Sequence, residues 1–191
     1  CEKKKINFFT IFTYQHYDKN MSDKFFEELK IAKPKYKILF SKIRNSKYVE
    51  KLSGLIKKIL IKENPYMVIV QGDTNSSLAG AIATKQINNR NKKVLLAHVE
   101  AGLRSYDYRM PEEFNRQVID NFSDILFPPT IIQKKILLKE GFNKSKIFVS
   151  GSTICDSLKL INFKKKIKKK FVLLTIHRHE LLTNKESTIK L

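Results

Sequence analysis

Residues 66–105 read YMVIVQGDTNSSLAGAIATKQINNRNKKVLLAHVEAGLRS. Two compact apolar runs, YMVIV at 66–70 and VLLAHV at 94–99, flank a segment at 75–88 whose alanines suit close packing on a sheet. Strands that are apolar throughout belong to sheets covered on both faces, and a helix between two of them makes a parallel crossover. The stretch therefore predicts an α/β unit. Each run ends in a polar turn, QGDTNSS or HVEAGLRS, and each turn contains a glycine and a carboxylate.

The same alternation extends outward in both directions. On the N-terminal side, INFFTIFT at 6–13 reads as a strand and DKFFEELK at 23–30 as a short amphipathic helix. Val49, Leu52, Leu55, Ile56, Ile59 and Leu60 recur at helical spacing over 47–62, and Asn64-Pro65 stops them. On the C-terminal side, Pro111 opens a helix through EEFNRQVIDNF, ILF at 125–127 is a short strand, and TIIQKKILLKEG is a helix ended by Gly141. KIFVSG reads as another strand and 153–161 as a short helix. The fold class expected is α/β with a doubly wound, Rossmann-like parallel sheet. It is assigned to residues 1–162. KKKIKKK lies within a Lys-rich linker at 163–170, and FVLLTIH at 171–177 begins a second, incomplete Rossmann-like domain spanning 171–191.

Composition narrows the function classes. The chain has 191 residues, 42% of them hydrophobic, and a formal net charge of +20. Clustered cations would signal nucleic acid, but only six of the 38 basic residues are arginine and the lysines spread over every segment. That distribution points to a solvated shell rather than a phosphate-binding face. Cys1 and Cys155 form no metal or redox motif, and no apolar stretch approaches the roughly 18 residues of a membrane span. A cytoplasmic enzyme is expected, and the initial Cys is read as a sign that the N-terminus is missing.

Ligands of open parallel sheets bind beyond the carboxyl ends of the strands. Three such ends carry chemistry: Asp73 after the first run, His98 and Glu100 at the second, and His177 and Arg178 after FVLLTI. Each has a structural alternative. Asp73 could cap the following helix, Glu112 could pair with Arg116 at i+4 in the turn after Pro111, and His16 and His98 could be partly buried histidines with local hydrogen bonds. Neither a GxxxxGK[ST] loop nor a GxGxxG fingerprint is present.

Taken in order, YQHYDKNMSDKFFEEL, QGDTNSSLAGA, HVEAGLRSYDYRMPEEFNR, FPPT, GSTICD and TIHRHE resemble the non-hydrolysing UDP-N-acetylglucosamine 2-epimerases. The resemblance implies the first half of a two-domain GT-B-like architecture that interconverts UDP-GlcNAc and UDP-ManNAc, without metal or nicotinamide. It implies acid/base roles for Asp73, Glu100 and Glu112, and phosphate contact for His177 with Arg178. Arg104 and Arg116 would orient the carboxylates or the phosphate, and Gln15 and His16 would meet a second, activating UDP-GlcNAc. A homodimer or a complementing second-domain polypeptide is the partner implied. Tyr14, Ser152 and Leu181 depart from the family pattern, and the family's opening GTRPE-type loop is absent from these residues. A GT-B glycosyltransferase and a non-catalytic basic remnant are the alternative readings.

Overall fold

The computed structural model describes residues 6–13, 26, 31–39, 47–88, 93–160 and 170–173. The chain divides into two compact units, Cys1–Leu160 and Ile161–Leu191. In the second unit only residues 170–173 are described; they are not in a strand, and Phe171, Val172 and Leu173 are exposed. The remainder of the expected 171–177 strand lies outside the described residues.

The first unit contains β1 (Ile11–Phe12), β2 (Tyr36–Lys37), α1 (Tyr48–Glu63), β3 (Met67–Gln71), α2 (Asn75–Ile87), β4 (Leu95–Val99), α3 (Pro111–Phe122), β5 (Ile125–Phe127), α4 (Ile131–Lys139), a 3-10 turn at Lys144–Lys146 and α5 (Thr153–Leu160). All strand pairs are parallel. They form two sheets, β1-β2 and β3-β4-β5, rather than one. The strand expected at 6–13 is reduced to its last residues, and the one expected at KIFVSG to a single bridge between Ile147 and Leu126. Hydrogen bonds from Phe148 N–H to Leu126 O (2.9 Å) and from Ser150 N–H to Pro128 O (3.1 Å) still carry that segment along β5.

Helix α1 forms where the sequence places Leu52, Ile56 and Leu60 one turn apart, and all three are buried. It stops at Asn64, whose left-handed backbone (φ 54°) returns its N–H to Leu60 O at 2.9 Å before Pro65 blocks continuation. Helix α2 lies close on β3 because its inner face is small. Ala79, Ala81 and Ala83 are fully buried, and a Cβ on Gly80 would come within 3.0 Å of Val70 Cγ1.

One core joins Leu52, Ile56, Leu60, Ala79 and Ala83 to Val68, and a second joins Val70, Leu78 and Leu96 to Ile119 of α3. Ile11 packs against the first core. Its neighbour Phe12 points to the opposite face, as alternation along a strand requires, and meets the helical Phe26 edge to face at 5.3 Å. The helical Phe26 thus lies on the face of β1 opposite the first core, the two-sided arrangement of a doubly wound Rossmann-like fold. The other residues of the expected 23–30 helix lie outside the described set.

A third cluster, Ala101, Leu126, Leu137 and Ile147, seats α4 against the turn that follows β4. Gly102 makes this approach possible. Its φ is 77°, and a Cβ there would lie 2.8 Å from Gln133 O and 2.9 Å from Leu137 Cγ. Gly102→Ala is expected to destabilise the fold by about 2 kcal/mol, through left-handed strain and displacement of α4. Urea unfolding measures it, and an unchanged midpoint would contradict the packing described.

Candidate active site at the ends of two strands

Strands β3 and β4 are neighbours, with Gln71 opposite Val99, so their C-terminal turns adjoin. After β3 the chain turns at Gly72 (φ 66°), whose N–H donates to Val99 O at 3.0 Å. Asp73 follows. The cap of α2 is Thr74, whose hydroxyl accepts from Ser77 N–H at 3.2 Å, and not Asp73. The Asp73 carboxylate instead receives Arg116, through Nε at 2.8 Å and Nη2 at 2.7 Å.

After β4 the turn begins at Glu100, one of the few non-glycine residues with positive φ (77°). Its N–H donates to Phe127 O at 3.0 Å. Its Oε2 would lie 3.3 Å from a Cβ on Gly72, so a glycine there leaves room for the carboxylate beside the Asp73 turn. Among the described residues no hydrogen bond reaches the Glu100 carboxylate. The backbone is held in an unfavourable region to place a side chain that the described residues leave uncommitted, a combination found where function sets the geometry. Glu100→Gly is expected to raise stability by about 1 kcal/mol. Thermal melting checks this, and a lower Tm would mean the side chain is structural.

Helix α3 holds both turns in place. Asn115 Nδ2 donates to Asp73 O at 2.8 Å and to Asn75 Oδ1 at 3.1 Å. Glu113 is fully buried and accepts from Ser105 N–H and Ser105 Oγ, both at 2.8 Å, from Arg116 Nη1 at 2.6 Å and from Gln117 Nε2 at 3.2 Å. Burial pushes its carboxyl up, but these donors, Ser105 foremost, outweigh burial and hold it at about 2. Arg116 therefore bridges Glu113 and Asp73, and the expected i+4 pair with Glu112 does not form. Glu112 is exposed in the first turn of α3, and among the described residues nothing joins it to Asp73 or Glu100.

Behind these turns lies a buried polar network. His98 is fully buried, with Nδ1 2.7 Å from Asp120 Oδ1 and Nε2 3.0 Å from Gly72 O. The ring is thereby held between the Asp120 carboxylate and the Gly72 carbonyl. Asp120 Oδ2 also accepts from Gly102 N–H at 3.2 Å and Arg104 Nη1 at 2.8 Å. Arg104 makes a two-pronged contact with Glu140, Nε at 2.9 Å and Nη2 at 2.6 Å. Burial opposes the guanidinium's charge, but Glu140 and Asp120 more than offset it and raise its pKa. Arg104 faces this network rather than the open carboxylates. Gln15, His16, His177 and Arg178 lie outside the described residues.

Asp120, Glu113 and Asn115 escape a reading of motifs by strand ends. A signal was present: Glu113, Arg116 and Asp120 fall at i, i+3 and i+7, a polar stripe on the face of α3 that the apolar Ile119 marks as inward.

A doubly wound α/β half with carboxylates gathered at adjoining strand ends has the layout in which open parallel sheets place ligand sites, beyond the carboxyl edge. The model of the family described as UDP-N-acetylglucosamine 2-epimerase matches residues 1–191, and the chain belongs to that family. It is 43% identical to the UDP-N-acetylglucosamine 2-epimerase of Methanocaldococcus jannaschii, over 97% of this chain and 53% of that one. The crystal structure of the M. jannaschii UDP-GlcNAc 2-epimerase in complex with UDP-GlcNAc and UDP matches with a TM-score of 0.76 and 46% identity, over 82% of this chain and 42% of that one. A crystal structure from Listeria monocytogenes matches with a TM-score of 0.84 and 33% identity, over 95% of this chain and 49% of that one. The chain spans about half the length of the proteins it matches. No described helix is long and apolar enough to cross a membrane.

Proposed function

We propose that this chain supplies the carboxylate-bearing half of a non-hydrolysing UDP-N-acetylglucosamine 2-epimerase that interconverts UDP-GlcNAc and UDP-ManNAc. The observation that carries the reading is Glu100, whose carboxylate takes no hydrogen bond among the described residues and is held at positive φ beside the Asp73 turn. Inversion at C2 needs a base to take the proton there while the C1–O bond to UDP breaks, giving 2-acetamidoglucal. The same groups then return a proton to the other face as UDP re-adds. Glu100 suits the mobile proton. Asp73, held by Arg116, suits a fixed charge or the opposing acid, and Glu112 is the third candidate. Arg104 acts at one remove, by fixing Asp120 and with it the His98 contact to Gly72. His177 with Arg178 would hold the departing diphosphate and Gln15 with His16 an activating UDP-GlcNAc. The chemistry calls for no cofactor. Residues 163–170 and 171–191 are proposed as the linker and the start of a second Rossmann-like domain of a GT-B-like pair, completed by further polypeptide or within a homodimer.

Proton NMR of UDP-GlcNAc incubated in D2O with the complete two-domain protein that carries these residues tests this; the 191-residue chain alone is expected to show weak exchange or none. With the complete protein, deuterium at C2 is the expected result, lost by at least about a hundredfold in Glu100→Gln and Asp73→Asn, as removal of an acid/base group predicts. Exchange that survives both substitutions would sink the assignment, and transfer of the sugar to an acceptor would replace epimerisation by glycosyl transfer.

A further inference from the structure

Each of the three described arginines presents the same edge of its guanidinium, Nε with Nη2, to a carboxylate. Two of them fork over both oxygens. Arg104 reaches Glu140 Oε1 with Nε at 2.9 Å and Oε2 with Nη2 at 2.6 Å, and Arg109 reaches Asp107 Oδ1 and Oδ2 at 2.8 Å each. In that geometry a planar fork and a planar carboxylate match bond for bond. Arg116 departs from it, because Nε at 2.8 Å and Nη2 at 2.7 Å both meet Asp73 Oδ2. Among the described residues no hydrogen bond reaches Asp73 Oδ1, although an ionised carboxylate accepts at both oxygens. The Asp73 side chain is 28% exposed, so that oxygen is not sealed in.

The offset has its cause in α3. Glu113 Oε2 holds Arg116 Nη1 at 2.6 Å, an i,i+3 contact along the helix. Glu113 cannot follow the arginine, since the same oxygen accepts Ser105 N–H and Ser105 Oγ, both at 2.8 Å, and the side chain is fully buried. Asp73 cannot shift to meet the fork either, because Asn115 Nδ2 holds its main-chain oxygen at 2.8 Å. Between these two fixed points the guanidinium edge stands over one carboxylate oxygen instead of two.

Resting on the epimerase reading above, we infer that Glu113 is a positioning residue: by drawing Arg116 to one side it keeps Asp73 Oδ1 open as the second proton-transferring oxygen of the site, beside Glu100. One of the two carboxylates takes the C2 proton as the C1–O electron pair leaves with UDP. The other gives a proton to the opposite face of C2 as the UDP oxygen re-adds to C1. An aspartate forked at both oxygens would serve only as a fixed charge. Asp73, met at one oxygen, has the other ready for a proton.

The test compares the complete two-domain protein with its Glu113→Gln variant in D2O, starting from UDP-GlcNAc and, separately, from UDP-ManNAc. Glutamine keeps the size and an acceptor for Ser105 but not the charge, so Arg116 is expected to centre on Asp73 and close both oxygens. Inversion should then fall at least about tenfold in kcat, with KM within about twofold. Deuterium entering C2 without inversion should persist within about threefold from the epimer whose proton faces Glu100, which takes and returns it on one face. Ser105→Ala removes one donor from Glu113 and leaves the charge, so it should lower the ratio of inversion to exchange by about threefold. This second variant decides the matter where Glu113→Gln does not fold. A ratio unchanged in the folded variants, or inversion and exchange lost equally from both epimers, overturns the inference and leaves Glu113 a purely structural anion. Wild-type protein that exchanges no C2 proton overturns the epimerase reading itself, and this inference with it.

Discussion

Asp120→Ala is expected to remove about 4 kcal/mol of stability and lower the urea midpoint by about 2 M. The carboxylate accepts from His98, Arg104 and Gly102 in a fully buried site. Its loss leaves Arg104 with Glu140 as its one carboxylate among the described residues, beside the Leu103 carbonyl, and takes the acceptor from the His98 Nδ1 and Gly102 N–H contacts. Breaking a buried charge pair from one side is among the costliest single changes, because the remaining charge stays buried without its partner. Asp120→Asn keeps one acceptor oxygen and should cost roughly half as much. Since a domain's whole stability is about 5–15 kcal/mol, the alanine variant should be partly unfolded at 37 °C. A loss below about 1 kcal/mol would show that the network contributes little.

Acid should unfold the chain through Glu113. Its folded carboxyl is held at about 2, against about 4.3 in the unfolded chain. A depressed carboxylate stabilises the fold fully above the unfolded value, and that contribution disappears as pH falls from about 4.3 toward 2. The shift corresponds to about 3 kcal/mol. Unfolding free energies measured at pH 7, 4 and 2.5 should therefore drop across that window. In Glu113→Gln the value at pH 7 should be lower and the drop flatter by a similar amount. A variant with an undiminished acid slope would assign the transition to other carboxylates.

The described helices and the central strands were legible because each depends on contacts close in sequence. Leu52, Ile56 and Leu60 announce α1, and Asn64-Pro65 announce its end. What failed were inferences that stopped at local partners. The i+4 spacing of Glu112 and Arg116 suggested a pair, but Asp73, 43 residues from Arg116, competes for the guanidinium and Glu113 takes its other arm. Asp73 looked like a helix cap until Thr74, one residue on, proved to have the geometry. His98 and Asp120 meet across 22 residues, a separation that no periodicity encodes. The segments 6–13 and 146–151 were apolar enough for strands, yet a strand is defined by its neighbours as much as by its side chains. Each of these segments has a neighbour on one side only among the described residues.

The grip of α3 on Asp73 also fixes how that carboxylate can move. Consecutive residues hold the same amino acid from two directions: Asn115 takes its main-chain oxygen and Arg116 its side chain. Backbone rotation at Asp73 strains the first bond, and side-chain rotation strains the second. The carboxylate thus has no hinge of its own and behaves as a pin riveted to the helix. Any tilt or slide of α3 must carry Asp73 with it, and Asp120 of the same helix, bound to His98 and to Gly102 N–H, passes the motion to the turn that bears Glu100. One rigid helix thus clamps both carboxylate-bearing turns, and their spacing is kept by a single element rather than by two independent loops.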